Sequence, residues 1–138
     1  MKLFKIALTF CATAIALSLM ASSALAAHDP CKVLPAKKFG QIMGYTATVD
    51  RNATTQTVCY YTGPGDNFGR FQILTEQSTP QGAAMMVNRR GPGSSPPAGS
   101  GQLGGTYSQG NIVFFVSIQS TSQSKLQSVV SEIKRNLH

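Results

Sequence analysis

The sequence predicts an α+β fold, an antiparallel sheet of about five strands with helices packed on one face. Three observations support it. Ile112 to Gln119 is a β-branched and aromatic run with no breaker inside it, the composition of a strand held within a sheet. Its even positions, Ile112, Phe114, Val116 and Ile118, are all apolar. The odd positions begin apolar at Val113 and Phe115 and finish polar at Ser117 and Gln119, so one strand face asks for full cover and the other does not. Second, the helix expected from Ser124 to Leu137 sets Leu126, Val129, Val130, Ile133 and Leu137 on one stripe, a fitting cover for that strand. Third, short strand-like runs separated by turn residues fill the chain ahead of it, giving the order α-β-β-β-α-β-β-α.

The N-terminal segment is set apart from this domain. Met1 to Ala26 reads as a secretory signal, with Lys2 and Lys5 as the charged start and Ile6 to Met20 as the apolar core. Ala24-Leu25-Ala26 supplies the small-x-small cleavage site. The apolar run is short for a spanning helix and no basic flank follows it, which argues against a membrane anchor. Cys11 follows Phe10 and Cys31 follows Pro30, so neither has the small preceding residue that a lipidated cysteine needs. Cleavage would leave Ala27–His138, one domain with a modest core, in the periplasm or outside the cell. Of the 3 cysteines, Cys31 and Cys59 then remain, without CxxC spacing or histidine companions. In an oxidising compartment their simplest use is one disulfide, contributing about 3–4 kcal/mol on the chain-entropy estimate.

The elements follow in order. Pro35 suits a first helical turn, Phe39, Ile42 and Met43 share a side, and Gly44 stops the helix. His28-Asp29-Pro30-Cys31 ahead of it reads as a lead-in. Tyr45 to Val49 alternates as a strand, Asp50-Arg51-Asn52 turns, and Thr54 to Thr62 forms the second strand. Gly63 to Asn67 turns again into a third strand, Phe68 to Gln77. Thr79 caps and Pro80 opens a short helix over Gln81 to Asn88. Its Met85-Met86 pair is expected to fill core, because adjacent helical positions diverge and no third soft ligand is near for copper. Arg89 to Gly105 is the one break in composition, a flexible Gly/Pro/Ser-rich loop. Gln102 to Ser108 is the fourth strand, turning at Gln109-Gly110-Asn111 into the fifth. Ser122 or Ser124 caps the last helix, and Lys134, Arg135 and His138 complement its C-terminal dipole.

Catalytic chemistry finds little purchase. A nucleophile needs a base beside it, yet the 2 histidines, His28 and His138, stand at opposite ends of the mature chain. There is no Gly-x-Ser-x-Gly elbow, and the acids are dispersed, with Asp29 in the lead-in, Asp50 and Asp66 in turns, Glu76 in the third strand and Glu132 on the last helix. The sequence therefore predicts no enzyme, no cofactor and no metal site. His28 next to a free amine offers copper only a minimal site. Asn52-Ala53-Thr54 matches a glycosylation sequon that a bacterial signal makes irrelevant. The net charge of +7 loses two units with Lys2 and Lys5, and the remaining basic residues are scattered without a basic, aromatic-interleaved face. No nucleic-acid partner is expected.

Surface recognition remains. If Cys59 points into the helical layer to reach Cys31, Tyr61 points inward too, and Val58 and Tyr60 face outward with Val113, Phe115 and Leu74. An aromatic and apolar patch on an uncovered sheet face is a place for a protein partner or an apolar ligand. The partner-binding candidates are Tyr60, Val113 and Phe115, with Arg89 and Arg90 at the head of the loop.

Asp29-Pro30-Cys31-Lys32-Val33-Leu34, the helix ending Met43-Gly44, Val58-Cys59-Tyr60-Tyr61 and Gly105 to Val116 with a terminal amphipathic helix resemble a group of small exported bacterial cell-envelope domains of unknown function. Those domains have a Cys–helix–Gly opening and a second Cys on a strand. This chain differs in having no lipobox and in its long Gly/Pro/Ser loop. The resemblance implies an α+β domain with one disulfide and no catalytic activity. The leading expectation is an exported binding or accessory domain of the periplasm or envelope acting through the open sheet face. The alternative is a secreted inhibitor of a hydrolase that inserts the Arg89–Gly105 loop, and a small secreted enzyme comes third.

Overall fold

The computed structural model describes residues 28–90, 96–97 and 99–138. The expected signal segment lies outside them. The first described element is a single helical turn, α1 (Pro30–Val33), where the sequence reading had only a lead-in. Asp29 caps it, its Oδ1 accepting from the Cys31 amide at 3.0 Å, and Pro30 takes the first position, where a missing N–H costs nothing. Helix α2 (Ala36–Met43) follows, with Pro35 at its N-cap and Gly44 ending it at φ 85°, a left-handed conformation that glycine adopts freely.

Strand β1 (Thr48–Val49) is shorter than the expected run from Tyr45, and β2 (Val58–Thr62) begins later than Thr54. Local side-chain bonds hold the intervening residues out of the ladder. Asp50 Oδ1 accepts from the Asn52 amide at 2.9 Å, and Thr54 Oγ1 accepts from the Tyr60 amide at 3.1 Å. Strand β3 (Phe68–Glu76) leads to α3 (Pro80–Arg90), where Thr79 Oγ1 accepts from the Gly82 amide at 3.0 Å as the expected cap. Strands β4 (Gln102–Gln109) and β5 (Ile112–Gln119) form a hairpin about Gly110-Asn111. Helix α4 (Gln123–Asn136) ends the fold, capped by Ser122.

The result is one open sheet of 5 strands in the order β1-β2-β3-β5-β4, with every neighbouring pair antiparallel. The α+β class, the antiparallel sheet and the order of the main elements match the sequence reading. The middle strand is β3, and β5 lies between β3 and β4. Both β3 and β4 run antiparallel to β5 and so parallel to each other, and a parallel pair requires a crossover connection. Helix α3 makes that crossing.

The main core lies between the sheet and α1, α2 and α4. It gathers Leu34, Phe39, Tyr61, Phe71, Phe114, Val116, Ile118, Val129 and Ile133, each almost wholly removed from solvent. Phe39 stacks on Tyr61 at 4.4 Å, and Phe71 meets Phe114 edge-on at 5.7 Å. The Cys31–Cys59 disulfide ties α1 to β2 across this layer. Lys125 donates from Nζ to the Met43 carbonyl at 2.7 Å, bonding the first turn of α4 to the last carbonyls of α2.

Three expectations need correction. The sequence places Val113 on the open face, yet it is 0% exposed. Helix α3 packs against β4 and β5, and Ala83 and Val113 are both fully buried but stand outside the main core cluster. Helix α3 therefore covers the opposite face of the sheet at its β4–β5 end, with Met86 and Val87 half-buried on the same stripe as Ala83. Helices α1, α2 and α4 share the expected face. Met85, expected as core filler, is 53% exposed, because Ala83, Met86 and Val87 already occupy the side that meets the sheet. The loop expected over Arg89–Gly105 is shorter at both ends. Arg89 and Arg90 continue α3, since no breaker precedes Gly91, and Gln102 to Gly105 belong to β4. Gly104 fits there because a Cβ would collide with the Val116 carbonyl of the neighbouring strand.

Candidate partner-binding face

Strand alternation sends Cys59, Tyr61, Phe71, Ile73, Phe114 and Val116 into the core, so the residues between them point to the other side. Across β2, β3 and β5 the register sets Tyr60 opposite Arg70, Arg70 opposite Ser117, and Gln72 between Val58 and Phe115. Phe68 lies one step diagonally from Tyr60, and their rings stack with centroids 5.8 Å apart and planes within 5°. Arg70 extends the other way. Its guanidinium carbon sits 5.9 Å from the Phe115 ring centroid, and Nη2 donates to Gln72 Oε1 at 2.5 Å. The face thus carries a continuous row, Phe68–Tyr60–Arg70–Phe115. Tyr60, Phe68 and Phe115 are half-buried and Arg70 is exposed.

The sequence-derived candidates divide. Tyr60 and Phe115 share this row, with Arg70 lying between them. Val113 lies on the same strand face but is sealed, and Leu74 stands at the irregularity between Ile73 and Thr75 in the β3–β5 ladder. Arg89 is exposed near the end of α3 and Arg90 closes that helix, so both belong to another element. Residues 91–95 and 98 of the candidate loop lie outside the described residues. Phe68, Arg70 and Gln72 were missed. Their signal is the alternation Phe68-Gly69-Arg70-Phe71-Gln72-Ile73: once Phe71 and Ile73 are taken as core, the other three must face outward.

Other places offer less. His28, Glu76 and His138 line one cleft with Gln109 to Ile112 and Leu137, so the fold brings together two histidines that the sequence separates. Among the described residues no group of three His, Cys, Asp or Glu is arranged to hold a metal ion. Tyr45 Oη is buried without a hydrogen-bond partner, and that burial pushes its pKa up. Its ring lies against Gly63 and edge-on to Phe39 at 6.3 Å, which is a packing role. The Arg135 hydrogen bond holds the Glu132 carboxyl below its usual range, as a solvated ion pair on α4 would. Among the described residues no helix is long and apolar enough to cross a membrane.

Comparison with protein-family models, curated proteins and solved structures finds no match to this chain.

Proposed function

We propose that the protein is a non-catalytic binding or accessory domain of the bacterial periplasm or envelope that holds a protein partner on its open sheet face. The observation that carries this reading is the Phe68–Tyr60–Arg70–Phe115 row. Aromatic and arginine side chains are the groups that contribute most at protein interfaces. Here they stand on a stiff sheet backed by the core, so little conformational freedom is lost when a partner lands on them. The disulfide agrees with an oxidising compartment, and the signal-like N-terminus points the same way.

Site-specific photocrosslinking tests the reading. A benzophenone amino acid is placed at Tyr60 and, as a control, at the exposed Gln127 on α4, and cells expressing each variant are irradiated. A discrete adduct from position 60 and none from position 127 is the expected result. No adduct at position 60, or equal yields at both positions, overturns it.

A further inference from the structure

The ligand class follows from where the charges lie. The chain has 5 Asp and Glu side chains. Among the described residues the one ion pair is Glu132–Arg135, so none of them lies within salt-bridge distance of Arg70, although Asp50 stands beside Tyr60, its amide donating to the Tyr60 carbonyl. Asp29 caps α1, Asp50 holds the turn after β1, and Asp66 stands in the β2–β3 turn. Glu76 ends β3 at the cleft with His28 and His138, and Glu132 pairs with Arg135. Residues 1–27, 91–95 and 98 contain no Asp or Glu, so no acid outside the described residues can reach Arg70 either. Arg70 is therefore a guanidinium with no carboxylate partner in the chain, held over Phe115 and steadied by one bond to Gln72. A guanidinium has five N–H donors in a fixed fork that matches a carboxylate. The bond to Gln72 occupies one of them.

We infer that the open face is selective for an acidic protein segment, in which one Asp or Glu side chain is flanked by apolar residues. The carboxylate takes the free edge of Arg70. The flanking side chains lie on the Tyr60–Phe68 pair to one side and on Phe115 to the other. The positive balance of Ala27–His138 (Lys+Arg 10 against Asp+Glu 5) favours the same sign of partner. This inference rests on the open face being the binding surface, and it adds the charge of what binds there.

The test uses two capped peptides, acetyl-Ser-Phe-Asp-Phe-Ser-amide and its Asp→Asn counterpart, titrated into the full mature chain. Nitrogen–proton NMR follows the Tyr60 and Phe115 amides and the Arg70 Nε–H. The acidic peptide is expected to bind at least about tenfold more tightly than the neutral one, the scale of one charge-assisted hydrogen bond. Arg70→Gln should erase that preference and leave neutral-peptide binding in place. Arg70 is exposed, and an unchanged amide spectrum elsewhere confirms that the variant folds.

Equal affinity for the two peptides, with shifts at Tyr60 and Phe115, overturns the charge selectivity while sustaining the face as a binding surface. No shift at those amides with either peptide overturns both. A six-residue oligothymidylate that binds the row more tightly than the acidic peptide overturns the inference in favour of single-stranded nucleic acid. Concentration-dependent shifts of the same amides without ligand overturn it in favour of a second copy of the chain.

Discussion

Replacing Tyr61 by Phe tests the core and its polar anchor together. Tyr61 is fully buried, stacks on Phe39, and donates its Oη–H to the Leu34 carbonyl at 2.5 Å. That bond secures the segment between α1 and α2 to β2. The substitution keeps the ring and its stacking and removes only the hydroxyl. The Leu34 carbonyl then loses its donor inside the core, at a cost of about 1–3 kcal/mol. A domain of this size has a total stability of about 5–15 kcal/mol, so the loss is readily measured by urea unfolding followed by circular dichroism.

The same hydroxyl supplies a second, independent signature. Burial, and then the nearby charge of Asp29, pushes the Tyr61 phenol far above its ordinary 10.0. Below pH 10 both folded and unfolded states hold the proton, and the shift contributes nothing to the pH dependence. Above it the unfolded chain ionises and the folded chain does not, so the unfolded state binds fewer protons and stability falls as pH rises. One such group removes about 1.4 kcal/mol by pH 11. The wild type carries this loss and Tyr61→Phe does not. The variant should therefore be less stable by about 1–3 kcal/mol at pH 8, and the gap should close by about 1.4 kcal/mol at pH 11. Tyr45 and Tyr107, whose pKa values burial also raises, are present in both proteins and cancel. A gap independent of pH, or equal stability at pH 8, refutes the reasoning.

Four further substitutions probe other joints. Cys31→Ser with Cys59→Ser opens a crosslink of sequence separation 28 and should cost about 3–4 kcal/mol in urea unfolding, with reduction of the wild type producing the same loss. Gly69→Ala drives a methyl group into the Phe39 ring, and thermal unfolding should report about 1–3 kcal/mol of overpacking. Lys125→Met retains the aliphatic stem but releases the Met43 carbonyl, and calorimetry should show a loss of about 1 kcal/mol. Val113→Ala removes two carbons from a sealed contact and should cost about 2 kcal/mol, whereas a surface position would register almost nothing in the same urea titration.

Much of this fold was legible because local signals and tertiary demands agree. Ile112 to Gln119, the Gly110-Asn111 turn, the Thr79-Pro80 and Gly44 boundaries, and the Cys31–Cys59 pair all appear where the residues indicated. What was not legible depends on distance. Nothing in Ile-Val-Phe-Phe-Val says that Val113 is covered and Phe115 is not. That difference arises because α3, over thirty positions away in places, crosses only one end of the sheet. The missed residues Phe68, Arg70 and Gln72 show the converse. Their outward direction was readable from alternation, but their importance emerges only when the register sets Arg70 between Tyr60 and Phe115. The short helix α1 was overlooked because one turn has no periodicity to detect, although the Asp29-Pro30 pair was a start signal in plain view.

The asymmetry of α3 is also what makes a binding face physically reasonable here. A fully bare sheet face would leave the apolar strand β5 exposed along its length, and such a surface invites aggregation. A fully covered face would leave no room for a partner. Helix α3 seals the Val113 end and leaves the β2–β3 side and Phe115 uncovered, while Arg70 breaks the remaining apolar row with a charge. That charge serves as a gatekeeper against nonspecific stacking of apolar strands. On the proposed reading it also supplies a directional contact for an acidic partner. The two roles separate experimentally. Arg70→Lys keeps the gatekeeping charge but lacks the planar fork, so it should stay as free of aggregates as the wild type in light scattering while losing most of its preference for the acidic peptide. Full retention of that preference would mean that only the sign of the charge matters, and that the geometry of the guanidinium over Phe115 does not contribute.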